Sequence, residues 1–103
     1  MPWTFVAPLS ALAGREIIGA VCHGQRLALY RLNDGYFATS DSCPHQGAAV
    51  SEGCVVDGLV ECPRHFALFD IRTGAADGGV TTTGLRTFAT KVVNDEIHVD
   101  LDA

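Results

Sequence analysis

Most of this chain alternates apolar and polar residues with period two, the spacing of strands whose successive side chains face opposite sides of a sheet. Trp3 to Val6 reads as a first strand, and Leu9 to Ala13 as one helical turn stopped by Gly14. Glu16 to Cys22 and Gln25 to Leu32 follow as strands turned at His23-Gly24. Asn33-Asp34-Gly35 is a strong hairpin signal, because these residues tolerate the positive φ such turns need. Tyr36 to Ser40 continues the meander. Val55-Val56 and Leu59 to Glu61 flank a turn at Asp57-Gly58, and Phe88 to Val93 and Glu96 to Leu101 flank Asn94-Asp95. In the last strand Ile97, Val99 and Leu101 are expected to face a core, with His98 and Asp100 facing water. The pattern predicts an all-β fold of paired antiparallel sheets.

Two stretches break the alternation, Asp41 to Gly53 and Cys62 to Phe69, and both hold groups that ligate metals. The first contains Cys43-Pro44-His45-Gln46-Gly47 and the second Cys62-Pro63-Arg64-His65. The pattern is C-x-H, sixteen intervening residues, then C-x-x-H. One thiolate and one imidazole from each loop suit iron or zinc, not calcium or magnesium. An isolated pair of this kind is most often a buried free cysteine beside a surface histidine. Two pairs on two loops joined by a hairpin are a metal site.

Two centres compete for these four ligands. A single zinc would take all four in a tetrahedron, but such sites usually draw like ligands from one segment, as C-x₂₋₄-C and H-x₃₋₅-H. A mixed-ligand [2Fe–2S] cluster puts both cysteines on one iron and both histidines on the other. Here each loop is mixed, which favours the two-iron cluster clamped between loops.

Composition narrows the setting. At 103 residues, 48% hydrophobic and 18% charged, the chain has the makeup of one globular domain, expected over 1–103. Twelve acids against seven bases give a net charge of −5 with no basic run, which argues against nucleic acid and anionic membranes as partners. No stretch approaches the roughly 20 apolar residues of a membrane span, and Met1-Pro2-Trp3-Thr4 lacks the basic start of a secretory signal. A cytoplasmic location is expected, where cysteines stay reduced or bind metal. With no glycine-rich phosphate loop ahead of a helix, no flavin or nicotinamide site is expected.

Cys43-Pro44-His45-Gln46-Gly47-Ala48 with Ser51-Glu52-Gly53, and Cys62-Pro63-Arg64-His65 with Phe69-Asp70 and Thr73-Gly74, resemble the two cluster loops of Rieske ferredoxins. The likeness is best to the bacterial ferredoxin components of aromatic-ring-hydroxylating oxygenase systems, such as the naphthalene dioxygenase type. It implies a Rieske-type fold of antiparallel sheets with a cluster-binding subdomain of two hairpin loops. It also implies one [2Fe–2S] cluster on Cys43, His45, Cys62 and His65, with both histidines at an exposed tip. The expected role is one-electron transfer from a flavoprotein ferredoxin reductase to a terminal oxygenase, with no catalytic residues and no small-molecule substrate. A Rieske-like small subunit of another redox enzyme, such as nitrite reductase, and a zinc-stabilised binding module are the alternatives.

The high-potential, respiratory branch of this family carries a serine two positions after the second-loop histidine, a tyrosine two further on, and a disulfide bracing the loops. The matching positions here are Ala67, Phe69, and the pair Ala48 and Arg64. Without those hydroxyl donors a potential near the low end of the Rieske range, about −150 mV, is expected. Asp77-Gly78-Gly79 and Ala89 stand where related carriers often have prolines, and Phe66 follows His65 as either a partner contact or a shield. Cys22 and Cys54 read as small buried hydrophobes, and His23 and His98 as solvated.

Overall fold

The structure is a computed structural model and describes residues 3–42, 48–63, 67–77 and 83–101. Its strands are β1 (Trp3–Pro8), β2 (Ile17–Cys22), β3 (Gln25–Leu32), β4 (Gly35–Ser40), β5 (Cys54–Val56), β6 (Leu59–Glu61), β7 (Leu68–Asp70), β8 (Thr87–Val93) and β9 (Glu96–Asp100). Short 3₁₀ turns cover Leu9–Leu12 and Val50–Glu52. No helix among the described residues is long and apolar enough to cross a membrane.

Two antiparallel sheets result. The larger has the order β1-β9-β8-β4-β3-β2, and the smaller the order β5-β6-β7. In the larger sheet the join between β4 and β8 is narrow, with only Ala38↔Phe88 and Thr39↔Thr87 in register. Backbone and side-chain bonds extend it, from Ser40 N–H to Arg86 O at 2.8 Å and from Thr90 Oγ1 to Tyr36 O at 2.7 Å. The outer strands β1 and β2 curl toward each other, Cys22 Sγ standing 3.9 Å from Phe5 O, so the sheet approaches a closed barrel.

The hairpin signals fall where sequence placed them. His23 and Gly24 take φ of 53° and 75°, Asp57 and Gly58 of 51° and 79°, Asn94 and Asp95 of 52° and 63°. Each pair is a two-residue turn with both central residues left-handed, which matches the twist of the flanking strands. The remaining signal differs. In Asn33-Asp34-Gly35 only Gly35 has a positive φ, 145°, and it already pairs with Leu32 as the first residue of β4. Gly14 takes φ 73° just past the first 3₁₀ turn, as a C-terminal stop should.

Two apolar cores share one strand. Leu27 and Leu29 of β3 point into the barrel with Leu12, Ala38, Phe88, Ile97 and Val99. Ala28 and Tyr30, on the other face of β3, pack against Val50, Val60, Ala67, Phe69 and Ile71 of the smaller sheet and its loops. All four consecutive residues of β3 are thus buried. This doubly covered strand ties the barrel to the layer that carries the ligand loops. The phenol of Tyr30 is satisfied there by Thr39 Oγ1 at 2.8 Å. Burial is the main cause that pushes its pKa far above that of a free phenol; the Thr39 bond opposes the shift and the charge of Asp41 adds to it.

Three expectations need correction. Phe69 was expected in a loop, but Leu68–Asp70 forms β7, registered on β6 through Val60↔Phe69. Cys54 was expected buried and is exposed, whereas Cys22 is buried as expected. His98 was expected to be solvated. Because β1 pairs with β9, Phe5 lies opposite it and meets its ring edge-on at 5.9 Å. Its Nε2 is shielded from water, and Glu96 Oε1 at 3.5 Å lies near it without hydrogen-bond geometry.

Candidate metal centre

Of the four expected ligands, Cys62 lies within the described residues; Cys43, His45 and His65 lie outside them, as do Arg64, Phe66, Gly78 and Gly79. Cys62 follows β6 directly and is fully buried. Its N–H donates to Ala67 O at 2.8 Å, one rung beyond the Glu61↔Leu68 pair, so the β6–β7 hairpin stays closed up to residues 62 and 67. The four residues 63–66, His65 among them, make the connection. The C-x-x-H spacing therefore begins on the last closed rung of a short hairpin, with the thiol of Cys62 buried there.

The other candidate ligands, Cys43 and His45, belong to the connection from β4 in the larger sheet to β5 in the smaller one. Its return is anchored near Cys62. Val50 is fully buried in the same apolar cluster as Cys62, Ala67 and Phe69, and Ala48 packs against that cluster. Gly53 ends the connection at a backbone-to-backbone approach, where an added Cβ would stand 1.8 Å from Glu61 O. Only a residue without a side chain lets this segment lie on β6.

Phe69-Asp70 and Thr73-Gly74, which sequence associated with the second loop, build the exit from it. Phe69 is a core residue that also bridges to Ala76. Asp70 Oδ1 accepts the N–H groups of Arg72 and Thr73 at 2.8 and 3.1 Å, and Gly74 N–H donates to Asp70 O at 2.7 Å. This aspartate-led turn reverses the chain. Leu85 N–H then donates to Gly74 O at 2.7 Å, pinning the next segment across it. Beside the turn, Arg72 forms an ion pair with Asp34 on the barrel side and lies 5.2 Å over the Phe37 ring. The guanidinium holds the Asp34 carboxyl below the usual carboxylate range.

Sequence reasoning missed one pairing at this site. Asp41, buried at 4% exposure, accepts both the N–H and the hydroxyl of Ser51, at 2.6 Å each. Nothing in the pattern marks them as partners, since they stand ten residues apart across a loop.

The described part of the site fits an iron–sulfur centre. A buried cysteine sits on the last rung of a closed hairpin among Val50, Ala67 and Phe69, an apolar setting that keeps water from the thiolate side. Residues 2–89 match the Rieske [2Fe-2S] domain, and the chain belongs to that family. Its cofactor is a Rieske-type [2Fe–2S] cluster, which removes the reading as a zinc-stabilised module.

The ferredoxin subunit of anthranilate 1,2-dioxygenase from Burkholderia cepacia is 42% identical over 99 residues, covering 96% of this chain and 92% of that protein. The ferredoxin component of the naphthalene 1,2-dioxygenase system of Pseudomonas putida is 31% identical over 99 residues, covering 96% and 95%. Among solved structures, one described as a complex of reduced oxygenase and oxidized ferredoxin in carbazole 1,9a-dioxygenase superposes with a TM-score of 0.87 at 32% identity. That match covers 96% of this chain and 93% of the other.

Proposed function

We propose that this chain is the ferredoxin component of an aromatic-ring-hydroxylating oxygenase system, a one-electron carrier with no substrate chemistry of its own. The similarity to dioxygenase ferredoxins over nearly the whole length of both proteins carries this reading. It favours the free carrier over a tightly held small subunit of a nitrite-reductase type. The electron donor in this reading is a flavin-dependent reductase, the acceptor is a terminal oxygenase, and the setting is the cytoplasm, with residues 1–103 acting as one domain.

Cys43, His45, Cys62 and His65 are the proposed ligands. The position of Cys62 on the last rung of the β6–β7 hairpin supports the assignment, as does the occurrence of residue 65 in the sequence of its four-residue connection. When bound, the cluster supplies a site for one electron at a potential raised by its two neutral imidazole ligands. The chain's own contribution is structural. The hairpin fixes Cys62, the apolar cluster around Val50 and Phe69 excludes water from its side, and the doubly buried β3 makes the support rigid. Rigidity matters because a carrier that moves little between oxidation states exchanges electrons with little reorganisation.

Electron paramagnetic resonance of the dithionite-reduced protein tests this. The expected result is a rhombic signal with average g of about 1.9, the signature of mixed cysteine and histidine ligation. Oxidation of the reduced protein by a terminal ring-hydroxylating oxygenase should then follow within one turnover. A colourless, silent sample holding stoichiometric zinc would overturn the reading.

A further inference from the structure

The segment proposed to carry Cys43 and His45 is fastened where it leaves the barrel and where it returns. Asp41 comes directly after β4. Its own backbone is pinned to β3, with its N–H donating to Arg26 O at 3.2 Å and Arg26 Nη2 reaching Asp41 O at 3.5 Å. Its carboxylate takes Ser51 at two points, Oδ1 from the backbone N–H and Oδ2 from the hydroxyl, each at 2.6 Å. Ser51 lies in the 3₁₀ turn whose Val50 is packed beside Cys62. A third element confirms that the pair is tightly seated. Gly19 of β2 lies against it, and a Cβ there would stand 2.8 Å from Ser51 Oγ and 3.1 Å from Asp41 Oδ2.

We propose that Asp41 and Ser51 are positioning residues for the cluster: their two-point clasp, seated on Gly19, fixes both ends of the ligand segment and sets how firmly it holds the metal. This rests on the ligand assignment proposed above. Two short bonds to one carboxylate in a buried site are charge-assisted, and each supports roughly a tenfold change in the equilibrium for opening the segment. Held at both ends, the segment would keep its ligands close to a bound cluster, so opening of the clasp would govern the rate of cluster loss.

The test compares chelator-driven bleaching of the intact holoprotein and its reduced paramagnetic resonance lines across five variants. Asp41→Ala removes both bonds and is expected to bleach about 100-fold faster, with broadened lines. Ser51→Ala, which keeps the backbone bond, and Gly19→Ala, which wedges the pair apart from another strand, are expected near tenfold. Asp41→Asn preserves the geometry, its carbonyl accepting the Ser51 N–H and its amide donating to the hydroxyl. It should stay within about threefold of the parent. Thr90→Val loses the bond to Tyr36 O between β8 and β4, away from the clasp, and should bleach at the parent rate with unchanged lines.

If Asp41→Ala does not fold, Ser51→Ala and Gly19→Ala carry the comparison. Parent-like bleaching and line shape in those two variants would overturn the proposal. So would Thr90→Val bleaching as fast as Ser51→Ala, or Asp41→Asn behaving like Asp41→Ala. Failure of the ligand assignment has a separate readout, since Cys43→Ser would then retain a full cluster.

Discussion

Gly74 and Gly24 allow one effect to be isolated by subtraction. Both lie in the left-handed region, at φ 79° and 75°, so an alanine at either position pays nearly the same backbone strain. That strain is about 1–2 kcal/mol, offset by about 0.4–1 kcal/mol from the reduced freedom of the unfolded chain. Around Gly24 nothing lies within 4 Å of the added Cβ, so Gly24→Ala is expected to cost about 1 kcal/mol or less. At Gly74 the same Cβ would stand 2.1 Å from Leu85 O and 3.0 Å from Thr87 Cγ2, where ordinary contact begins near 3.4 Å. The two backbone segments must separate by more than an ångström. That breaks the bond from Leu85 N–H to Gly74 O, now 2.7 Å, in a place where Leu85 is 6% exposed. A broken bond with its buried groups left unpaired costs about 1–3 kcal/mol.

Gly74→Ala should therefore exceed Gly24→Ala by about 1–3 kcal/mol. In a domain of this size that is a lowering of Tm by about 5–20 °C relative to the Gly24 variant. Thermal scans of the two holoproteins by far-ultraviolet circular dichroism, at one scan rate, measure it. If the two variants melt within 2 °C or so of each other, the close approach at Gly74 carries no such cost and the reasoning is wrong.

The midpoint potential is expected near the low end of the Rieske range, about −150 mV, and a value above zero in protein-film voltammetry would sink the account based on Ala67 and Phe69. Restoring donors by Ala67→Ser and Phe69→Tyr should raise it, by about 40 mV for each kcal/mol by which the new bond favours the reduced form. The Asp34–Arg72 pair stabilises the fold through an aspartate whose folded pKa is depressed. Its contribution is present above the unfolded aspartate pKa of about 3.9 and is lost as pH falls through the lower folded value. Asp34→Asn should accordingly melt below the parent at pH 7, with the gap closing toward about pH 3 in the same scans, and a gap that widens in acid would contradict the sign. Both groups are exposed, so the gap is small. Thiol labelling of the native holoprotein should modify Cys54 rapidly, and Cys22 only on unfolding; equal rates would refute their assigned burial.

Sequence alone determined the local geometry, because turns and strand alternation depend on few neighbours. His23-Gly24, Asp57-Gly58 and Asn94-Asp95 tolerate left-handed backbone, and each made the turn expected of it. The spacing of Cys43, His45, Cys62 and His65 pointed to the cofactor, since ligand chemistry and mixed loops can be read from residue type and order. What depended on distant partners was hidden. Leu68-Phe69-Asp70 is too short to show a period and is a strand only because β6 supplies its hydrogen bonds. His98 alternates outward along β9, yet Phe5, some ninety positions away in the chain, covers it. Asp41 and Ser51 become a clasp only when the chain from β4 to β5 closes on itself over Gly19. A residue's own alternation or turn propensity acts across its immediate neighbours, whereas burial and hydrogen-bond partnership are set by whichever strand the fold lays alongside. For that reason the kind of site was legible in the chain, and the residues that brace it were decided by the tertiary structure.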